Sequence, residues 1–280
     1  MLTTKDHSRF QEGFEYVYPV VSRRAGGVSL GINLNTNNAC NWRCIYCQVP
    51  DLIRGAPPPV DLDLLKNELS IFLDQILRGS YLEDEVPEGQ RRLNDIAFSG
   101  NGEPTVAPNF LDAVQAVYDV RARGNVPDAV KTVLITNGSL MHQAKVIRGV
   151  KELVSINGEV WYKIDRATGK GARLINDTKV SKSRIITNLE ASANACPTWI
   201  QTCLFKLDGL NPSDSDLDAY CELINEVKTS GIPLKGILLY GLARDSFQPE
   251  AARLSPLDGG WLKSFANRLR DMGVTVNLSI

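Results

Sequence analysis

Three cysteines stand close together in the stretch ACNWRCIYCQVP, residues 39–50. Cys40, Cys44 and Cys47 are spaced as C-x3-C-x2-C. Thiolates at such short spacing are typical metal ligands, and metal sites built from cysteine usually have four ligands. Only two histidines occur in the chain and neither is near this stretch, which disfavours a zinc site completed by histidine.

The missing fourth ligand indicates what kind of site this is. A 4Fe–4S cluster has four irons, usually with one cysteine on each. Three cysteines leave one iron open for a substrate or a cofactor, and an open coordination position is typical of a catalytic site. A structural zinc site without a recognised fourth ligand is the alternative.

Strand-like and helix-like stretches alternate along most of the chain. Strands are expected at 29–35, 93–100, 130–136, 159–165, 198–206, 233–241 and 274–280, and helices near 61–79, 109–123, 141–151, 179–193, 213–230 and 259–272. This alternation implies a parallel sheet with helical crossovers. Six β/α units and a last strand predict an α/β fold, a partial (β/α)6 TIM-like barrel with one additional C-terminal strand. We expect a single domain, with an N-terminal extension at 1–28 and the barrel at 29–280.

The composition excludes several classes of protein. The chain is 43% hydrophobic and 22% charged, which allows a large buried core and argues against disorder. Its net charge of −1 gives no sign of a basic surface for nucleic acid. The chain has no run of 18 apolar residues and no apolar N-terminal segment, so we expect a cytoplasmic protein without a membrane span.

Unusual residues follow several of the predicted strands. GNGEP (100–104) follows the second strand, TNGS (136–139) the third, KIDR (163–166) ends the fourth and YGLAR (240–244) ends the sixth. Reacting groups of a β/α barrel lie on the loops at this end of the strands. We therefore expect these loops to form one site with the cysteine loop.

Three charged residues at this end are candidate catalytic residues. Lys163 and Asp165 alternate with Ile164, so they share one face of a strand. Two charges inside a barrel are costly unless they are paired or functional, and a buried ion pair is the alternative to catalysis. Arg244 could bind a carboxylate through two hydrogen bonds, or it could form a surface salt bridge.

The segment at 165–179 is a long predicted loop with four cations, Arg166, Lys170, Arg173 and Lys179. A solvated loop is the default interpretation. A long loop on the active-site side could instead be a lid or a site for an anionic substrate.

The cysteine spacing, with the aromatic Tyr46 just before the third cysteine, resembles the signature of the radical S-adenosylmethionine (SAM) superfamily. GNGEP resembles the glycine-rich motif of that superfamily, whose backbone receives the amino group of SAM. The resemblance implies a 4Fe–4S cluster on Cys40, Cys44 and Cys47, with SAM as ligand of the open iron. It also implies reductive cleavage of SAM to a 5′-deoxyadenosyl radical that abstracts hydrogen from a substrate.

The resemblance further implies the residues that contact SAM. They are Tyr46, Gly100, Asn101, Gly102, Glu103, Pro104, Thr136, Asn137 and Gly138. A tight turn is the alternative for both the glycine-rich stretch and the Asn-Gly pair. The substitution Gly102→Val is expected to weaken SAM binding and to leave the cluster in place, because the thiolates lie on another loop.

Within the superfamily, the stretches SRRAGGVSLGINL, CIYCQV, FSGNGEPT, ITNGS, KID and WIQT resemble the branch of wyosine-synthesis enzymes and related iron–sulfur oxidoreductases. Archaeal wyosine enzymes carry extra upstream cysteines for a second cluster, whereas none precedes Cys40 here. We therefore expect one cluster, with Cys196, Cys203 and Cys221 as buried apolar thiols.

The substrate stays open at this point. A peptide, a small metabolite or an RNA base could be modified, and a tRNA-modifying enzyme of the wyosine type is one alternative. A non-catalytic iron–sulfur or zinc protein is the other. An enzyme of this kind also needs a one-electron donor, such as flavodoxin or ferredoxin.

Overall fold

The computed structural model describes residues 13–22 and 26–280. Residues 1–12 of the expected N-terminal extension, and 23–25 of the stretch SRRAGG, lie outside the described residues. No helix of the described part is long and apolar enough to cross a membrane.

The fold is mixed α/β. The strands are Val17–Ser22 (β1), Gly27–Ile32 (β2), Ala39–Cys40 (β3), Ile53–Arg54 (β4), Leu93–Phe98 (β5), Lys131–Thr136 (β6), Gly158–Lys163 (β7), Thr198–Leu204 (β8), Lys206–Leu207 (β9), Leu234–Gly241 (β10), Leu254–Ser255 (β11) and Val276–Ser279 (β12). The α-helices are Leu62–Leu77 (α1), Tyr81–Glu85 (α2), Phe110–Gly124 (α3), Ala144–Glu152 (α4), Gly169–Asn176 (α5), Lys182–Ala195 (α6), Asp214–Thr229 (α7) and Gly259–Asp271 (α8). Short 3-10 helices occupy Pro104–Val106, Leu153–Ile156 and Ala251–Arg253.

The predicted alternation of strands and helices is confirmed from β2 to β12, with boundaries that differ by a few residues. Contacts divide the chain into two compact units. The first comprises Met1–Asn41, Gly55–Thr136 and Gln143–Val160, and the second comprises Trp42–Arg54, Asn137–His142 and Trp161–Ile280. Strand β7 begins in the first unit and ends in the second.

Strands of the first unit neighbour one another in the order β1-β2-β5-β6. Strands β2, β5 and β6 are parallel, as the sequence predicts, whereas β1 pairs antiparallel with β2. The prediction of a mere extension before residue 29 missed β1. Its Val17 and Val21 are buried, and Pro19 is tolerated because the strand lies at the edge of the sheet.

Helices α1, α3 and α4 form the helical layer of the first unit. Asp61 caps α1, since its side chain accepts hydrogen bonds from the backbone N–H groups of Asp63 and Leu64. Apolar residues three or four positions apart, among them Leu65 and Phe72, face the core.

Strands of the second unit follow the order β7-β8-β10-β12, and β8, β10 and β12 are parallel. Helix α5 lies inside the stretch at 165–179 that the sequence predicts to be a loop, so that prediction is wrong. Its start is set by Thr168, whose hydroxyl accepts a hydrogen bond from the Gly171 N–H group. Helix α5 is short and contains two glycines, so hydrophobic periodicity in the sequence did not indicate it.

Glu68 of α1 provides a test of how β1 is held. Its buried carboxylate accepts hydrogen bonds from the backbone N–H groups of Glu15 (2.7 Å), Tyr16 (2.8 Å) and Val17 (3.1 Å). Glu68→Ala leaves these donors without their acceptor, so we expect the free energy of unfolding to fall by about 2–4 kcal/mol. Urea denaturation measures this change. Glu222→Ala, at an exposed position of α7, is the control and should cost less than about 0.5 kcal/mol; an equal loss in both variants would contradict the assignment.

Candidate functional site

Asparagine side chains organise the chain just after β2, in the first unit. The side-chain oxygen of Asn33 accepts hydrogen bonds from the backbone N–H groups of Asn35 (3.1 Å) and Asn101 (2.9 Å). Asn101 in turn donates from its side chain to the side-chain oxygen of Asn38, at 2.8 Å. Where β2 ends, hydrogen bonds of these side chains take the place of hydrogen bonds between strands. They connect the segment before Cys40 to the glycine-rich loop.

Asn35 forms the closest link between these two segments. Its side-chain NH2 donates to the carbonyl oxygens of Ala39 (2.9 Å) and Glu103 (3.3 Å). The residue is fully buried. One amide group therefore fixes the residue that precedes Cys40 against the residue that ends the Gly-Asn-Gly turn.

The two glycines of this loop are required by close packing. A Cβ atom on Gly102 would lie 2.1 Å from the carbonyl oxygen of Ala39, and one on Gly100 would lie 2.5 Å from the side-chain oxygen of Asn33. Gly100 also has a φ of +128°, which favours glycine. The loop backbone thus lies directly against the neighbour of Cys40. A side chain at Gly102 would push on Ala39, so Gly102→Val should disturb the cysteine segment too, contrary to the expectation from sequence.

Glu103 is a buried carboxylate that holds its own loop. One of its oxygens accepts hydrogen bonds from the Thr105 N–H group (3.2 Å) and from the hydroxyl groups of Thr105 (2.6 Å) and Thr136 (2.6 Å). Pro104 follows and begins a 3-10 turn. The structure thus brings Glu103 and Thr136 together, and their contacts with SAM stay predictions.

The second unit assembles the other predicted site residues around Tyr46. Lys163, at the end of β7, donates a hydrogen bond to the Tyr46 hydroxyl at 2.6 Å. That hydroxyl donates to a carboxylate oxygen of Asp165, also at 2.6 Å. The ammonium of Lys163 lies 3.9 Å from the same oxygen and 4.9 Å from the centre of the Tyr46 ring. The ion pair considered from the sequence therefore exists, with the tyrosine hydroxyl between its partners.

Asp165 receives further hydrogen bonds on both oxygens. The Asn176 side chain donates to one oxygen at 2.7 Å, and the backbone N–H group of Cys203 donates to the other at 2.9 Å. Asn176 also donates to the sulfur of Cys44, at 3.2 Å. A continuous chain of hydrogen bonds thus runs from Lys163 through Asp165 to one of the candidate cluster ligands.

Burial and charge set the protonation states of this network. Burial alone would lower the pKa of Lys163, but Asp165 together with Tyr240, Cys44 and Cys203 outweighs it, so the pKa is raised and the side chain is a cation at neutral pH. Burial raises the pKa of Tyr46 well above its ordinary value, and Asp165 raises it further. Burial also raises the pKa of the Cys44 thiol, against the opposing effect of Lys163.

The cysteine loop is anchored by the segment that follows β10. The Ser246 hydroxyl donates to the carbonyl oxygens of Ile45 (2.8 Å) and Cys47 (3.1 Å). The guanidinium of Arg43 forms two hydrogen bonds with the Glu250 carboxylate, at 2.9 and 2.8 Å. These anchors were not predicted, because nothing in the sequence near residue 246 marks it as a partner of the cysteine loop.

The Asn-Gly pair after β6 forms a tight turn. A tight turn is one of the two interpretations of this pair from the sequence, and a contact with SAM is the other. The Asn137 side chain accepts a hydrogen bond from the Ser139 N–H group at 3.0 Å. Gly138 has a φ of +69°, and a Cβ atom there would lie 2.1 Å from the Tyr162 ring. A contact of this turn with SAM stays a prediction. Arg244, half-buried after β10, likewise keeps its catalytic role only as a prediction.

The six cysteines fall into two groups. Cys40, Cys44 and Cys47 are half-buried, whereas Cys196, Cys203 and Cys221 are buried, as predicted for apolar thiols. Within residues 13–22 and 26–280, no three His, Cys, Asp or Glu side chains converge on a position for a single metal ion. In a 4Fe–4S cluster each thiolate binds a different iron, so the thiolates need not converge on one point. Three partly exposed thiols at this spacing fit a cluster of this kind.

Comparisons with known proteins bear on this arrangement. No family model matches the chain. It is 25% identical over 227 residues to a UPF0026 protein of Helicobacter pylori strain J99, covering 78% of this chain and 65% of the relative. A match of 29% identity to the UPF0026 protein of a second H. pylori strain covers 48% of this chain and 38% of the relative. The chain thus spans less than two thirds of these relatives.

Solved structures resemble the chain over most of its length. A radical SAM methyltransferase from Sphaerobacter thermophilus superposes with a TM-score of 0.58 at 12% identity, covering 90% of this chain and 66% of the enzyme. TYW1 with a lysine–pyruvate adduct bound gives 0.56 at 16% identity, with 88% and 74% covered. SuiB of Streptococcus suis bound to SAM gives 0.55 at 14% identity, with 91% and 47% covered.

The chain has the radical SAM fold. The predicted fold class, a partial β/α barrel with a mainly parallel sheet, is confirmed by this likeness. TYW1 is among the proteins that share this fold. The asparagines at positions 33, 35 and 176 were missed. Polar residues directly after an apolar strand, as in INLNTNN, were the available signal for the first two.

Tyr46→Phe tests the bridged ion pair of this radical SAM fold. The substitution removes only the hydroxyl that links Lys163 to Asp165, so we expect the free energy of unfolding to fall by about 1–3 kcal/mol. Urea denaturation followed by circular dichroism measures the change. Tyr118→Phe removes an exposed hydroxyl and should leave stability within about 0.5 kcal/mol of wild type. Equal stability of Tyr46→Phe and wild type would show that the bridge contributes nothing.

Proposed function

We propose that this protein is a radical SAM enzyme. Cys40, Cys44 and Cys47 hold one 4Fe–4S cluster, and the open iron binds SAM. The glycine-rich loop at 100–104 holds the methionine end of SAM, and the enzyme acts on an organic substrate. The residues in this protein's own loops determine its substrate. The similar proteins differ from it in most of their sequence, and a shared fold does not imply a shared substrate.

The packing of Gly102 is the observation that carries this proposal. Its backbone lies so close to the carbonyl of Ala39 that any side chain would collide. The loop expected to bind SAM is therefore built onto the residue next to the first cluster cysteine. A metal-binding scaffold without SAM has no need of such a loop.

The cofactor would supply the redox chemistry. A 4Fe–4S cluster held by Cys40, Cys44 and Cys47 would supply the single electron for reductive cleavage of SAM and hydrogen abstraction from the substrate. A one-electron donor such as flavodoxin or ferredoxin would reduce it in the cell.

The chain's own residues orient and shield the site. Asn35 fixes the glycine-rich loop against Ala39 by its two donated hydrogen bonds. Tyr46 is fixed between Lys163 and Asp165, so the cysteine loop cannot shift without breaking buried hydrogen bonds. The cationic Lys163 favours negative charge near the thiolates, and a rigid, dry surround protects a reactive intermediate from water. We also propose that Lys163 contacts the substrate directly. Asp165 is a positioning residue, because it holds Tyr46 and Lys163 in place.

The first experiment is anaerobic reconstitution with iron and sulfide, followed by SAM cleavage under dithionite. Wild-type protein should hold about four irons per chain and form 5′-deoxyadenosine slowly without substrate. Changing Cys40, Cys44 and Cys47 to Ala should abolish both. The matched control changes Cys196, Cys203 and Cys221 to Ala and should keep the full iron content. A cluster retained by the first variant, or a filled cluster in wild type that never cleaves SAM, would refute the enzyme proposal and leave a non-catalytic iron–sulfur protein.

Glycine substitutions test the SAM loop separately. Gly102→Ala should weaken SAM binding by at least about tenfold and lower the iron content, because the new methyl group pushes on Ala39. Gly169→Ala is the control, since a Cβ atom there meets nothing within 4 Å. Equilibrium dialysis with labelled SAM measures the affinity, and iron is assayed in parallel. SAM binding by Gly102→Ala at wild-type strength would rule out the proposed loop contact.

A further inference from the structure

Asn176, the last residue of α5, is a buried amide beside the cysteine loop. It is 2% exposed. Its NH2 group donates one hydrogen bond to the Asp165 carboxylate at 2.7 Å and another to the Cys44 sulfur at 3.2 Å. One of these two hydrogen bonds therefore ends on an atom that the proposed function makes an iron ligand.

The surroundings of Asp165 fix which way this amide faces. An ionised carboxylate only accepts hydrogen bonds, and the Tyr46 hydroxyl and the Cys203 N–H group also donate to it. The amide nitrogen of Asn176, rather than its oxygen, must therefore face Asp165. The same nitrogen faces the sulfur of Cys44, so the sulfur receives a donor.

Other contacts hold the end of α5 to the cysteine loop without this amide. The Arg43 N–H group donates to the carbonyl oxygen of Asn176 at 3.2 Å, and the Ile45 N–H group donates to that of Ile175 at 2.9 Å. The side chains of Ile45 and Ile175 belong to one buried apolar cluster. Backbone and apolar contacts on both sides of Cys44 thus dock the helix, which leaves the amide side chain to act on the sulfur.

The residue type at this position matches two acceptors that carry negative charge. An aspartate of the same shape would place a second carboxylate against Asp165 and against a thiolate. A leucine would leave both acceptors without this donor, and buried acceptors that lose a donor cost free energy. A neutral side chain that donates twice meets both requirements.

A hydrogen bond to a ligand sulfur affects the redox equilibrium of a cluster. Reduction adds one negative charge to the irons, the sulfides and the thiolates together. A donor on a thiolate stabilises this added charge, so it favours the reduced state. Hydrogen bonds to the sulfurs are among the factors that set the reduction potential of iron–sulfur clusters.

We propose that Asn176 raises the reduction potential of a 4Fe–4S cluster on Cys40, Cys44 and Cys47 through its hydrogen bond to Cys44. Asn176 acts through the cysteine, so it is a positioning residue, and it eases the transfer of one electron from the external donor. The inference rests on the proposed function for the presence of the cluster, and it does not require that SAM is cleaved.

The test is a redox titration of reconstituted protein without SAM, followed by electron paramagnetic resonance. Asn176→Leu keeps a similar side-chain shape and removes the donor. It should lower the equilibrium constant for one-electron reduction by about tenfold, which is a shift of about 59 mV to more negative potential.

Asn188→Leu is the matched control. Asn188 is an equally buried amide of α6, and it donates to the backbone carbonyl oxygens of Gly138 (2.9 Å) and Ser139 (3.2 Å). This variant also loses two donated hydrogen bonds, but neither ends on a cysteine, so the potential should stay at the wild-type value. Equal shifts in both variants would replace the inference by a general loosening of the second unit.

A second measurement decides the question even if Asn176→Leu fails to hold a cluster. Protein carrying ¹⁵N only in the side-chain amides of asparagine should show a hyperfine coupling between this label and the reduced cluster. Asn188→Leu should keep that coupling. Its absence in wild type, or an unchanged potential in Asn176→Leu, would overturn the inference.

The same measurements separate this inference from the proposed function. A shifted potential in Asn176→Leu, with a wild-type cluster that never cleaves SAM, would refute the enzyme and support the role of Asn176. Normal SAM cleavage by wild type, with no effect of Asn176→Leu on the potential, would do the reverse. A wild-type protein that holds no cluster would refute both.

Discussion

The buried carboxylate of Asp165 is the group on which the second unit's site depends. It accepts hydrogen bonds from the Tyr46 hydroxyl, the Asn176 amide and the Cys203 N–H group, and it faces the Lys163 ammonium. A charge at such a buried position is stable only when its hydrogen-bonding capacity is met. This requirement fixes the cysteine loop, the end of β7 and helix α5 relative to one another.

In the first unit, neutral side-chain amides hold the loops in place, as the Asp165 carboxylate does in the second unit. Asn33 and Asn35 bind backbone groups that would otherwise be left unpaired after β2 ends. Because amides carry no charge, they can be buried here without a counterion. They let the backbone of the glycine-rich loop approach Ala39 closely.

Much of the fold was predictable because hydrophobic periodicity reports which face of an element is buried. The strand from Thr198 and the helix from Asp214 were found within a residue or two. Strand β1 was missed because Pro19 interrupts a short stretch next to the chain's start. Helix α5 was missed because its stability comes from the Thr168 cap and from packing on Arg166 rather than from an apolar stripe.

The sequence by itself determined the α/β class, the order of strands and helices, and the residues that could do chemistry. Cys40, Cys44, Cys47 and the stretch at 100–104 are recognisable because spacing along the chain is local information. Only the tertiary structure decided that Tyr46 bridges Lys163 and Asp165, and that Arg166 is buried with no carboxylate partner among the residues that the structure describes. Such facts depend on which side chains from distant segments meet in the folded chain, and neither composition nor periodicity carries that information.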